Sequence, residues 1–250
     1  MIHQLSAEEL ILSFVLIDEY DAAKLLKDEI YEEETEEVFN IRLDSAMNGL
    51  LAKDLLIVID DETAELKEDY VKVLELMLRA DKVVRFSLIE NEKEAVRAIY
   101  FKDNKSLLHD SVQGGIAHRI RYVKDWKEWY KTFVDEKDPE SASFRFVLPE
   151  REFENLLELC REEEMPHIHQ LFQTNVKDKN IAAQLAKDFA ATKGMLGSIF
   201  ITDYDSSHTV DKVVSYLVLQ GSEQNWLIDY DEKKQEMTIK PLQIERVFNF

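Results

Sequence analysis

The sequence predicts an α+β protein, with antiparallel β-sheet flanked by helical clusters in two pseudo-repeated halves. Three observations lead there. Apolar residues recur every three or four positions through the first part of each half, as the buried stripe of a helix requires. Strict alternation of apolar and polar residues then takes over, as in half-buried strands. The same succession of helices, strands and a short closing helix occurs at 1–135 and again at 142–250.

Ser6-Ala-Glu-Glu9 is a capping box, the Ser6 hydroxyl and the Glu9 carboxylate each satisfying a free backbone donor at a helix start. Leu10, Phe14, Ile17, Ala22, Leu25 and Leu26 carry that helix to about Ile30. Phe39, Leu43, Met47, Leu50 and Leu51 predict a second helix over Glu36–Lys53. The brief, β-branched run Leu55–Ile59 reads as a strand. Leu66, Tyr70, Val73, Leu74, Met77 and Leu78 return to helical spacing over Glu62–Arg79. From Lys82 the period is two: Val84, Phe86 and Leu88 share one face, and Val96, Ala98 and Tyr100 repeat the alternation. Lys102-Asp-Asn-Lys105 is a hairpin turn, and Ser106–His109 and His118–Val123 are strands on either side of Gln113-Gly-Gly115. Trp126, Trp129, Tyr130 and Phe133 give a closing helix over Asp125–Val134.

Asp135–Ser141 is polar, aperiodic and contains Pro139, so it reads as the linker. Beyond it, Phe144–Leu148 is a strand, and Pro149 opens a helix whose stripe is Phe153, Leu156, Leu157 and Cys160. Pro166 opens a helical turn to Phe172, and Ile181, Leu185, Ala186 and Phe189 form another helix, ended by Gly194 as a left-handed cap. The strands Met195–Thr202, Thr209–Leu219, Asn225–Tyr230 and Glu236–Lys240 follow, and Pro241–Phe250 closes as a short helix.

Lys and Arg number 31 against 51 Asp and Glu, a net charge of −20 that repels phosphate backbones and anionic lipid. Nucleic acid and membrane are therefore not expected as partners. Cys160 is the only cysteine, and neither a basic leader nor a membrane-length apolar run is readable, which points to the cytoplasm.

No chemical motif is complete. His167-Ile-His169 lies near Cys160 and Glu162–Glu164, the residue types that bind zinc, but on a helix the two histidines point to different faces. Cys160 occupies an apolar helix position, as a small core side chain does. Gly114-Gly115 lacks the flanks of a nucleotide loop, and Asp60-Asp61-Glu62 and Asp203-Tyr-Asp205 lack the pattern of a calcium loop and read as turns. Neither a cofactor, a metal nor a catalytic set is expected. Asn40–Arg79 resembles a winged helix-turn-helix, yet Asp44, Asp54, Asp60, Asp61 and Glu62 stand where a DNA reader needs cations. A winged-helix regulator and, behind it, a zinc-dependent hydrolase are the alternatives to a protein-binding reading.

Leu50-Leu-Ala-Lys-Asp-Leu-Leu56, the helix after it and the strands from Lys82 form a layout that resembles the first meander of the EspG family, cytosolic chaperones of type VII secretion. Gly197-Ser-Ile-Phe-Ile201, Val213-Val-Ser-Tyr-Leu217, Trp226-Leu-Ile-Asp229, Met237-Thr-Ile-Lys-Pro241 and the last helix are similar to its closing strands. The Lys/Glu/Ile-rich composition departs from the Ala/Gly/Arg-rich actinobacterial members, and the strand after Val213 lacks their polar Asp-Thr followed by Gly-Arg. The resemblance implies a non-catalytic, cytoplasmic, monomeric or weakly dimeric chaperone or adaptor, with a helical-hairpin substrate of the WXG or LXG kind. The contacts expected for such a substrate are Phe172, Tyr204, Val214, Tyr216, Val218 and Trp226, alternating strand residues and aromatics of the second half.

Overall fold

The structure is a computed structural model that describes residues 2–60, 63–90, 93–112, 114–125, 144–243 and 247. It has α+β architecture, antiparallel sheet flanked by helices. The chain divides into two compact units, each assembled from three segments. The first takes Met1–Val84, Ala95–Lys124 and Thr202–Asp211, and the second Arg85–Glu94, Asp125–Ile201 and Lys212–Phe250.

In the first unit the chain opens with β1 (Ile2–Ser6), then α1 (Ala7–Val15), α2 (Tyr20–Tyr31) and α3 (Glu36–Ala52). Ser6 and Glu9 make the expected box: the Ser6 N–H donates to Glu9 Oε2 at 2.7 Å and the Glu9 N–H to Ser6 Oγ at 3.2 Å. The single helix expected to about Ile30 is broken, because Asp18 adopts φ +62° and the Glu19 N–H turns back to the Phe14 carbonyl. Asp tolerates this left-handed conformation better than most residues. After α3 come β2 (Leu56–Val58) and β3 (Ala64–Leu66), a small antiparallel hairpin, and α4 (Glu68–Leu78). The helix expected from Glu62 thus starts at Glu68, its first residues having been taken by a strand.

The meander begins with β4 (Lys82–Glu90), β5 (Lys93–Lys102), β6 (Lys105–Val112) and β7 (Ala117–Val123). β5, β6 and β7 pair antiparallel in sequence order, and β1 closes the edge against β7, with Leu5 opposite His118 and His3 opposite Ile120. Residues opposite one another share a face. That face brings Leu5, Leu107 and Ile120 onto Leu10, Phe14, Leu50, Tyr70 and Leu74 of the helices, the first unit's core.

The second half repeats the plan. β8 (Phe146–Pro149) leads into α5 (Glu150–Arg161), α6 (Met165–Asn175) and α7 (Lys179–Ala191), and then β9 (Gly197–Tyr204), β10 (Val210–Leu219), β11 (Trp226–Asp231) and β12 (Glu236–Pro241). As β1 does with β7, the opening strand β8 pairs with the last strand of its meander, β12. Gly194 ends the helical segment at φ +74°, as its position predicts. Phe146, Phe153, Leu156, Phe172, Leu185, Phe189, Trp226, Ile228 and Ile239 form the core. Apart from Asp125, the helix expected at 125–134 and the linker at 135–141 lie outside the described residues. Pro241 belongs to β12 rather than to a closing helix, and Val247 is helical.

Candidate protein-binding surfaces

In the second unit, strand alternation decides which side chains can meet a partner. Leu217 pairs opposite Ile228 and Leu219 opposite Trp226, placing those four toward the helices. Val214, Tyr216 and Val218 therefore occupy the other face of β10. The register continues that face through Leu227, opposite Val218, to Lys240, and through Asp229 and Thr238 to Val147. Lys240 Nζ contacts Asp229 Oδ2 at 3.2 Å, and an Arg145 guanidinium N–H donates to Thr238 Oγ1 at 3.2 Å. Val214 and Tyr216 are half-buried and Val147 is exposed, whereas Val218 and Leu227 are buried. Burial, and then the nearby Asp229 carboxylate, raise the Tyr216 phenol above its ordinary value, so it stays neutral and amphipathic.

Three of the six expected contact residues are core. Phe172 lies against Phe146 and Phe189, with ring centroids 5.7 and 5.6 Å away. The Trp226 indole is buried and donates to Asp188 Oδ2 at 2.9 Å. Val218 is likewise closed off. Interior strand residues and surface aromatics have the same composition, so sequence alone does not separate them. Within this unit the exposed apolar residues of β9 and β10 beyond the expected contacts are Phe200 and Val213.

In the first unit, Tyr204 is half-buried at the end of β9, its N–H bonded to the Asp81 carbonyl beside a Lys82–Asp203 ion pair of 3.2 Å. The larger apolar exposure of this unit is on α3 and the β2–β3 hairpin. Val38 and Ile41 of the helix are exposed, as are Ile57, Val58 and Ile59.

The residues singled out for metal or nucleophile chemistry do not converge among the described residues. His167 is exposed with Nδ1 3.3 Å from Glu164 Oε2, and Ile168 between the two histidines is buried, so they diverge around the helix. Burial pushes the Cys160 thiol up to about 11, which leaves it protonated and unreactive. Among the described residues no three His, Cys, Asp or Glu side chains gather as metal ligands. Asp205 caps its turn, its Oδ1 accepting from the Ser207 and Thr209 N–H groups at 2.8 and 2.9 Å. One titratable pair falls outside these motifs: half-buried His109 and buried His118 lie with Nε2 and Nδ1 2.8 Å apart on the core face of the first unit. Its signal was available, since both histidines fall on the inward parity of their strands.

A family model described as "Uncharacterised protein YfjC" matches residues 2–249. The chain belongs to the YfjC family. No curated protein matches this YfjC-family chain. Among solved structures it is similar to that of the Mycobacterium tuberculosis type VII secretion system chaperone EspG5 in complex with a PE25-PPE41 dimer. The likeness covers 99% of this chain and 93% of that chain, with a TM-score of 0.60 and 11% sequence identity. At that identity the likeness is one of fold, and it agrees with the EspG-like layout expected from the sequence. Among the described residues no helix is long and apolar enough to cross a membrane.

Proposed function

We propose that this chain is a non-catalytic chaperone or adaptor that binds a helical-hairpin substrate of a type VII secretion system in the cytoplasm. The observation that carries the reading is the fold likeness, nearly complete over both chains, to a secretion chaperone solved together with a protein dimer. In the second unit Tyr216 and Val214 on the outward face of β10 are the proposed contacts, because they are partly exposed while Phe172, Val218 and Trp226 are not; Tyr204, also partly exposed, is a proposed contact of the first unit taken by itself. A half-buried tyrosine offers apolar ring area and a polar tip with little rotamer entropy to lose, which suits a helix tip laid on a sheet. The substrate is of the WXG or LXG kind.

Co-expression with WXG-type and LXG-type helical-hairpin proteins, followed by calorimetry of any complex, tests this. One of them binds, and Tyr216→Arg weakens that binding at least tenfold, about 1.4 kcal/mol, with an unchanged thermal melt. Absence of a complex with either class, crosslinked samples included, would overturn the proposal.

A further inference from the structure

We propose that the β2–β3 hairpin of the first unit is a self-association edge, whose occupant is the same hairpin of a second copy of the chain. Among the described residues β2 and β3 form a sheet of two strands, in register Leu56–Leu66, Ile57–Glu65 and Val58–Ala64. The Ile59 N–H donates to the Thr63 carbonyl and the Lys67 N–H to the Leu55 carbonyl, so the residues bonded across the hairpin are 55, 57 and 59. Antiparallel bonding alternates, so the N–H and C=O of Val58 point away from β3. Leu56 shares that direction but is buried, whereas Ile57, Val58 and Ile59 are 48%, 56% and 56% exposed. The open edge is thus centred on Val58.

Such an edge is its own complement. A two-fold axis through Val58 sets Val58 opposite its copy, where the paired residues exchange two main-chain hydrogen bonds. The same axis sets Ile57 opposite the copy's Ile59 and Ile59 opposite the copy's Ile57. Every exposed apolar side chain of the run then meets a β-branched partner, the cross-strand pairing that stabilises sheets. Exposed edges of this kind are usually blunted by Lys, Pro or an inward charge, and positions 57–59 carry none of these. Three half-exposed side chains fall well below the roughly 800 Å² per partner of a standard interface, so the dimer is weak, with a Kd on the order of 100 µM. Each copy carries −20, so added salt strengthens association by screening the repulsion.

The test is sedimentation equilibrium of the full chain over a concentration series at low and moderate salt, with two variants. The wild type shows a monomer–dimer equilibrium that tightens with salt. Val58→Pro, which removes the central donor, weakens it at least about tenfold while circular dichroism and the thermal melt stay unchanged. Val58→Cys gives a disulfide-linked dimer under mild oxidation, since hydrogen-bonded antiparallel pairs place their Cα atoms about 5.5 Å apart, within disulfide range. Lys72→Cys, an exposed control on α4, crosslinks more slowly. A strictly monomeric wild type, a dimer indifferent to Val58→Pro, or equal crosslinking by the two cysteine variants would each overturn the proposal. The substrate test above uses a different surface, so either result stands without the other.

Discussion

His118 is 2% exposed and its Nδ1 is engaged by His109, while among the described residues its Nε2 has no side-chain partner. Burial lowers its pKa from 6.5 to about 4, against a smaller opposing effect of a Gly115 backbone hydrogen bond. The sign follows from linkage: the unfolded chain takes up this proton below about pH 6.5 while the folded chain resists until about pH 4. Stability carried by neutral His118 is therefore complete above pH 6.5 and lost progressively toward pH 4. Urea unfolding at pH 7.5 and pH 5 should show the wild type losing about 2 kcal/mol more than His118→Gln, which does not titrate. Equal losses would mean that His118 carries no such burial penalty. Asp188 is the contrasting case, a carboxylate 1% exposed whose oxygens accept from Trp226 Nε1 at 2.9 Å, the Ser222 N–H at 3.0 Å and Gln184 Nε2 at 3.0 Å. Asp188→Ala strands the indole and amide donors and should cost about 3 kcal/mol or more. Gly221→Ala should also destabilise, because a Cβ there overlaps the Gln224 carbonyl and Asp188 Oδ2. Chemical denaturation at neutral pH checks both.

Among the elements, α1 and α3 are tied by the Arg42–Glu8 ion pair of 3.1 Å and, more tightly, through Glu9. Glu9 caps α1 through Ser6, contacts Lys53 at the end of α3, and lies over Gly49 so closely that a Cβ there would overlap its Oε1. Gly49→Ala should gain about 1 kcal/mol of helix propensity yet lose more than that by expelling Glu9 from the cap. Ser6→Ala should cost about 1 kcal/mol, and the double variant less than the sum, since both act on one cap. Thermal and urea unfolding of the three variants decide it. The Ser6–Glu9 spacing made this cap legible in the sequence, and alternation made β4, β5 and the closing strands legible too. Other elements were hidden for identifiable reasons. β1 is a five-residue strand whose partner, β7, lies more than a hundred residues away, so no local period announces it. β3 was absorbed into the helix reading because Leu66 fits the spacing of Tyr70, Val73 and Leu74 as well as it fits a strand. At the proposed surface, parity on β10 was readable, but the burial of Val218, Phe172 and Trp226 is decided by tertiary packing.

For the molecule as a whole, charge is the property with the widest reach. The chain carries −20, and many of its described ion pairs involve exposed side chains, among them Lys72–Glu68, Lys193–Glu163 and Lys234–Asp231. Exposed pairs contribute little, typically less than about 1 kcal/mol each, and salt weakens them. Repulsion among the excess carboxylates acts in the opposite sense, penalising the compact state, and salt relieves it. With twenty more acidic than basic groups, repulsion should dominate, so sodium chloride added from about 20 to about 300 mM should raise the melting temperature by several degrees. The measurement belongs at low protein concentration, where association through the β2–β3 edge does not contribute to the shift. A melting temperature that falls with salt under those conditions would mean that attractive pairs outweigh the net charge.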